Sequence, residues 1–260
     1  MYDDTCRFLA EHFSADFASW LLGAPIALTE IEPSELSLEP IRADALILLQ
    51  SEATILHLEF QTRPKTDIPF RMLDYRVRSH RRYPRKTMRQ VVIYLQATGS
   101  ELARETQFSL ENTTHNFEVI RLWEQPAETF LQYPGLLPFA TLGQSTSATT
   151  TLRQVAQNID QIADPTAKAN LAAASAILAG LKLEEAMIYR LLRRDIMQES
   201  TVYQSIKREG ELQGEARGEA KKQREIALNL LRNNSPLQFI SDITGMSLEA
   251  VQQLKQEIDA

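Results

Sequence analysis

The chain has 260 residues, 43% hydrophobic and 24% charged, with a formal net charge of −6, which excludes a disordered or fibrous protein and one that coats nucleic acid indiscriminately. Its length suits one α/β domain plus a smaller helical part. The single cysteine, Cys6, excludes an internal disulfide and a cysteine-based zinc site; without a signal-peptide pattern over Met1 to Ala10 or an apolar run near about 18 residues, a reducing, cytoplasmic home is expected, and no membrane partner.

Asp4 to Leu22 place Phe8, Leu9, Phe13, Phe17, Trp20 and Leu21 at helical spacing, and Gly23-Ala24-Pro25 ends that core-facing helix. Residues 26–39 read as irregular or a short strand, with Leu36 and Leu38 as its apolar positions, because Pro33 and Pro40 interrupt a long ladder. Two short apolar runs follow, Ala45 to Leu49 and Thr54 to Leu58, bounded by polar residues; they read as two strands.

A turn centred on Ser51-Glu52 sets Asp44 directly opposite Glu59, with Cβ atoms roughly 4.5 to 5.5 Å apart. Gln61 shares that face by strand alternation, while Leu56, Leu58 and Phe60 point the other way. Two carboxylates so close repel, and a divalent cation between them relieves the repulsion. Hard oxygen donors suit Mg²⁺, or Mn²⁺, and a metal-bound water beside a phosphodiester is a hydrolytic arrangement. The competing interpretation makes Asp44 and Glu59 ordinary surface acids at strand ends.

Pro64 and Pro69 break the chain before an amphipathic helix over Asp67 to Tyr83, with Phe70, Leu73 and Val77 as its expected core stripe. Arg71, Tyr75, Arg78 and Arg82 form another single face, suited to successive phosphates of DNA and, at Tyr75, to a phosphate or a base. Eight of the 28 Lys and Arg residues lie between Arg71 and Arg89 against one acid, Asp74. A basic stripe on an acidic protein points to a focused polyanion site, although a solvated charged face fits the same pattern. Val91 to Leu95 is a buried strand parallel to one hairpin strand, and Asn116 to Trp123 a further pairable run. His57 shares the Glu59 face as a packing residue; His12, His80 and His115 are scattered and form no zinc or nucleophile–base set.

Pro126 to Phe139 gives a short helix and a turn, and the polar stretch Thr141 to Thr151 has linker composition. Three packing helices are expected from Leu152 to Gln198, broken at Asp164-Pro165 and near Gly180. Lys207 to Glu225 is highly charged, with Gly210, Gly214 and Gly218 spaced by four: either a soluble helix that associates closely or an extended linker. Ser235-Pro236 and Ser247 start two terminal helices, whose acidic second member suits protein contact better than DNA phosphates.

The D-x14-E-x-Q pattern of Asp44, Glu59 and Gln61 on a strand hairpin resembles the PD-(D/E)XK nuclease superfamily. The stretches L-S-L-E-P-I-R-A-D and H-L-E-F-Q-T-R resemble its recombination-promoting nuclease and transposase branch. The resemblance covers residues 1–140, where it implies an α/β, restriction-endonuclease-like core with a mixed central sheet, while the tail matches only in character; the residues themselves give a helical extension over 141–198 and a charged helical tail with a terminal hairpin over 199–260. The resemblance also implies a Mg²⁺-dependent DNA endonuclease linked to recombination or transposition, needing no organic cofactor. Asp44 and Glu59 would bind the metal, Gln61 would stand where the family has lysine, and Glu11 would be an auxiliary acid from the first helix. Gln61 lacks lysine's charge. The alternative is therefore a weak or inactive nuclease-fold protein that binds DNA and forms a homo-oligomer through its C-terminal helices.

Overall fold

The computed structural model describes residues 2–31, 46–192, 222–233 and 235–259, together with a few positions between 197 and 208. Leu46–Gln50 (β2) and Thr54–Gln61 (β3) form the expected antiparallel hairpin, and Thr29–Glu30 (β1) pairs with β2 on its outer edge. The register differs from the expected one: Leu46, not Asp44, is the partner of Glu59. The turn is centred on Glu52-Ala53, where Ser51 N–H donates to Thr54 O at 2.8 Å and Thr54 N–H to Ser51 Oγ at 3.2 Å. Asp44, Leu36 and Leu38 lie outside the described residues.

A helix over Ile68–Arg82 (α3) crosses to Thr87–Tyr94 (β4), which runs parallel to β3, and Glu118–Arg121 (β7) runs parallel to β4. The result is a mixed five-stranded sheet in the order β1-β2-β3-β4-β7. A separate ribbon pairs Gln107–Leu110 (β5) with Thr113–Asn116 (β6); its turn holds Glu111 at φ 50, a left-handed backbone unusual for a residue with a Cβ.

Strand alternation divides the sheet between two unlike faces. Ile47, Leu49, Leu56, Leu58, Phe60, Val91 and Ile93 join one large apolar core. The helices Tyr2–His12 (α1) and Ser14–Leu22 (α2) supply Leu9, Phe17 and Leu21 to it, so the first helix is two, broken at Phe13. Phe60 stacks on Phe139 at 5.8 Å, and Phe17 meets both edge-on at 6.3 and 5.9 Å, pairs worth about 0.5–1.5 kcal/mol each beyond their burial. Gly135 lets this layer close: a Cβ there would fall 2.1 Å from Phe13 Cβ, and its N–H donates to Asp16 Oδ2 at 2.7 Å.

Ala148–Asp160 (α6) and Pro165–Ala179 (α7) add Leu152, Val155, Leu171 and Leu178 to this same core. Their starts follow from capping: Ser147 Oγ accepts from Thr150 N–H, and Asp164 carboxylate from Ala167 N–H with Pro165 in the first turn. By its contacts the first compact unit runs from Met1 to Gln204. The polar stretch before α6 is a connection inside one unit, since Gly143 and Gln144 hydrogen-bond into the 125–140 region.

The opposite face of the sheet is covered by α3. Its inward stripe is Ile68, Met72, Tyr75 and Ser79, all buried, whereas Phe70 and Val77 are 55% and 50% exposed. The expected core stripe of Phe70, Leu73 and Val77 is thus rotated outward, and Phe70 lies against Phe108 of β5 at 5.6 Å.

The second unit, from Ser205, holds helices 222–232, Leu237–Thr244 and Leu248–Asp259 around Ala227, Ile240, Val251 and Leu254. Gly245 at φ 70 ends the middle helix in the left-handed conformation that glycine adopts without Cβ strain. Gly210, Gly214 and Gly218 lie outside the described residues. Among the described residues no helix is long and apolar enough to cross a membrane.

Candidate functional site

Every second residue of β3 faces α3, which puts His57, Glu59 and Gln61 in one row; β4 adds Gln90 opposite His57. These four polar side chains sit between two apolar patches, one of Leu48, Ile55 and Tyr75, the other of Ile68, Met72, Val92 and Tyr94. Glu59 and His57 are wholly buried, and Gln61 and Gln90 nearly so. A buried carboxylate must be paired or hydrogen-bonded to stay charged. Glu59 Oε1 accepts from Gln61 Nε2 at 2.8 Å and pairs with Arg71 Nη2 at 2.9 Å. Among the described residues its other oxygen, Oε2, has no hydrogen-bond partner, and neither has His57 Nε2, which faces it at 3.9 Å.

The electrostatics follow from this packing. Burial drives the His57 imidazole toward its neutral form, against the pull of Glu59. Burial also opposes the Arg71 guanidinium, but the charges of Glu59, Tyr75 and Asp67 outweigh it and hold its pKa above the ordinary value. Tyr75 and Tyr94 are raised, Tyr94 to about 12, chiefly by burial, with the Glu59 charge adding to both. A single carboxylate thus influences a ring of groups drawn from β3, α3 and β4.

Of the residues expected at the site, Glu59, Gln61 and Arg71 meet directly. Glu11 does not join them: it lies with Glu30 and Arg7, its pKa raised by burial and by the Glu30 charge, with Arg7 Nη1 at 3.7 Å from both acids. The acid of α1 that feels the Glu59 charge is Asp3, its pKa raised chiefly by burial, with the amino terminus opposing, then Asp4 and Glu59 adding and Lys65 opposing. Asp3 and Glu11 are eight residues apart on one helix, or about 12 Å of rise, so they serve different ends of it. The sequence signal for Asp3 was weak, because nothing in the pattern of α1 says which of its acids meets the strand.

The single basic face of α3 is also revised. Arg71 and Tyr75 turn inward, Tyr75 being 4% exposed and edge-on to His57 at 5.2 Å. Arg78 pairs with Asp74 at 2.9 Å, and Arg82 lies 5.8 Å from the Tyr83 ring. Arg63, Lys65, Arg81, Arg82 and Arg85 are exposed. Gln90 was not anticipated at all, because an isolated glutamine in an apolar strand has no motif.

For a divalent cation the donor chemistry fits in part. Glu59 Oε2 is a hard oxygen of the kind Mg²⁺ takes, without a hydrogen bond among the described residues, while Arg71 on Oε1 supplies a competing positive charge. Among the described residues no group of three or more His, Cys, Asp or Glu side chains gathers around one point. No protein-family model, curated protein or solved structure matches this chain.

Proposed function

We propose that the chain is a metal-dependent DNA endonuclease with a PD-(D/E)XK core, acting in recombination or transposition. The observation that carries this reading is the buried Glu59 carboxylate, one oxygen fixed by Gln61 and Arg71 and the other without a hydrogen bond among the described residues. Burying an acid and leaving half of its acceptor capacity unused costs stability, which suits a group kept for a ligand. Strand order and directions, with β1-β2-β3 antiparallel and β4 joined in parallel through a helix, are in keeping with that core.

In this reading Glu59 and Asp44 would hold Mg²⁺ or Mn²⁺, which would supply an activated water and charge neutralisation at the phosphate. The chain's own residues do the rest. Gln61 fixes the Glu59 carboxylate through its amide, and Arg71 brings the positive charge that the glutamine lacks. Asp3 adds a third carboxylate within electrostatic reach of Glu59, in the role first expected of Glu11. Exposed Arg81, Arg82 and Arg85, with Arg63 and Lys65, offer phosphate contacts that position DNA without reading its sequence.

The Arg71–Glu59 pair also favours a second reading, a nuclease-fold protein that binds DNA without cutting it, since a guanidinium on Oε1 competes with a cation. End-labelled duplex DNA incubated with Mg²⁺ or Mn²⁺ separates the two. Fragments with wild type and none with Asp44→Ala support the nuclease. Retention of DNA with no fragments, and a salt dependence flattened by Arg82→Ala, support the second reading.

A further inference from the structure

Beyond Glu59, a line of side chains runs outward into a cavity that the proposed reaction does not use. Gln90 Nε2 donates to Met72 O at 2.7 Å and lies 3.0 Å from His57 Nδ1. A carbonyl oxygen only accepts, so that end of Gln90 is its NH₂ group and His57 Nδ1 is an acceptor. The proton of neutral His57 therefore sits on Nε2, facing Glu59 Oε2. At the other end Gln90 Oε1 accepts from His115 Nε2 at 2.8 Å. Nδ1 of a neutral His115 is then its remaining acceptor, and becomes a donor only when the ring is protonated.

His115 opens on a cavity of about 420 Å³, lined also by Arg76, Arg89, Gln90, Phe117 and Glu118. Arg89 is already neutralised, with Nε and Nη2 each 2.7 Å from an oxygen of Glu118. Among the described residues no hydrogen bond or ion pair engages Arg76. Its charge nevertheless reaches His115, which burial first, and then Arg76 and His57, keep below the ordinary histidine range. The cavity thus holds one uncompensated guanidinium, a histidine that turns from acceptor to donor when protonated, and an apolar wall at Phe117.

We propose that this cavity binds a phosphate group between Arg76 and His115, and that its occupancy is transmitted through Gln90 to His57, beside Glu59. A phosphate dianion suits the guanidinium fork, and the second pKa of a phosphate monoester, about 6, lies close to that of histidine, so a proton can be shared with His115 Nδ1. His115 Nε2 remains a donor in either state, so the link to Gln90 survives the change. A charged His115 polarises Gln90 and strengthens its bond to His57 Nδ1, which is how hydrogen-bonded chains carry a signal.

The phosphate has two possible sources, free phosphate and the 5′ end of a nucleic-acid strand. The test is proton NMR of the full chain, whose four histidines can be assigned by single substitutions. Inorganic phosphate, and separately a thymidine dinucleotide with and without a 5′-phosphate, are titrated in. The expected results are a His115 ring shift with raised pKa, a smaller His57 shift, and no response of His12 or His80. Arg76→Ala should weaken binding at least about tenfold, the loss of one charged hydrogen-bonding group. A response to inorganic phosphate alone identifies free phosphate; a response only to the phosphorylated dinucleotide identifies a strand end. Gln90→Met should keep the His115 shift and abolish that of His57; should that variant not fold, His115→Phe should abolish the His57 response. No His115 response to any phosphate probe, or unchanged binding in Arg76→Ala, overturns the site. A His57 response that survives the Gln90 or His115 change overturns the coupling. The readout is binding, so it stands or falls apart from DNA cleavage.

Discussion

Arg71 Nη2 lies 2.9 Å from Glu59 Oε1, where the carboxylate is fully buried and the arginine side chain is 21% exposed. Removing the arginine leaves an uncompensated charge under α3, a loss of roughly 3 kcal/mol by analogy with broken buried pairs. Arg71→Ala should therefore lower the urea midpoint markedly, and exposed Arg81→Ala should change stability by less than about 0.5 kcal/mol. Glu59→Gln in the Arg71→Ala background should restore part of the loss, because no charge remains to bury. Equal stability of the two arginine variants would contradict the pairing.

Gln61 holds the same oxygen through its amide at 2.8 Å. A group that orients a ligand residue typically matters by about 10–100-fold, so Gln61→Ala should slow cleavage within that range and leave DNA affinity near wild type. Gln61→Lys places a cation beside Glu59 and should keep or raise the rate. The check is single-turnover cleavage beside equilibrium binding; an unchanged Gln61→Ala rate would make this residue only part of a strand.

His57 and His115 both titrate below their ordinary value, chiefly through burial. In the window between the lowered folded pKa and the unfolded value near about 6.5, the unfolded chain binds more protons, so stability rises with pH there. Their contribution is complete above that unfolded value and is lost as pH falls toward the folded one. Each histidine contributes a slope of at most about 1.4 kcal/mol per pH unit. Urea unfolding at pH 7.5 and 5.5 should show lower stability at pH 5.5, with a smaller difference in His57→Gln and in His115→Gln. An unchanged difference in both variants would mean that neither ring is held neutral.

The two strands, the covering helix and the later helices were legible because apolar runs, proline breaks and capping residues mark them locally. The hairpin register was not. A slip by two residues keeps every side chain on its face, so the pattern of Leu56, Leu58 and Phe60 cannot tell pairing of Glu59 with Asp44 from pairing with Leu46; Ser51 and Thr54 decide it in the turn. The orientation of α3 was hidden for another reason. Phe70, Leu73 and Val77 are the more apolar stripe, but a buried acid on the sheet draws Arg71 inward, and Tyr75 follows on the same side. Asp3 and Glu11 are alike in sequence, and only their distance along α1 separates them.

The second unit has a core of its own in Ala227, Ile240, Val251 and Leu254. Ending the chain at Gln204 should leave the first unit cooperatively folded and the cleavage rate unchanged, while converting the homo-oligomer expected from the sequence to monomer in light scattering. Ile240→Ala should cost the tail about 2–5 kcal/mol without shifting the main unfolding transition. A truncated chain that still forms the oligomer would place the association elsewhere.

The central claim is that Glu59 serves metal-dependent hydrolysis of DNA, and nicking of supercoiled plasmid tests it most directly. Wild type, Glu59→Gln and Asp44→Ala are compared with Mg²⁺, with Mn²⁺ and with chelator, after circular dichroism has shown all three to be folded. Open-circular product is expected from wild type with either metal, none with chelator, and none from the two variants. Nicking by Glu59→Gln at the wild-type rate, or nicking that persists in chelator, would contradict it.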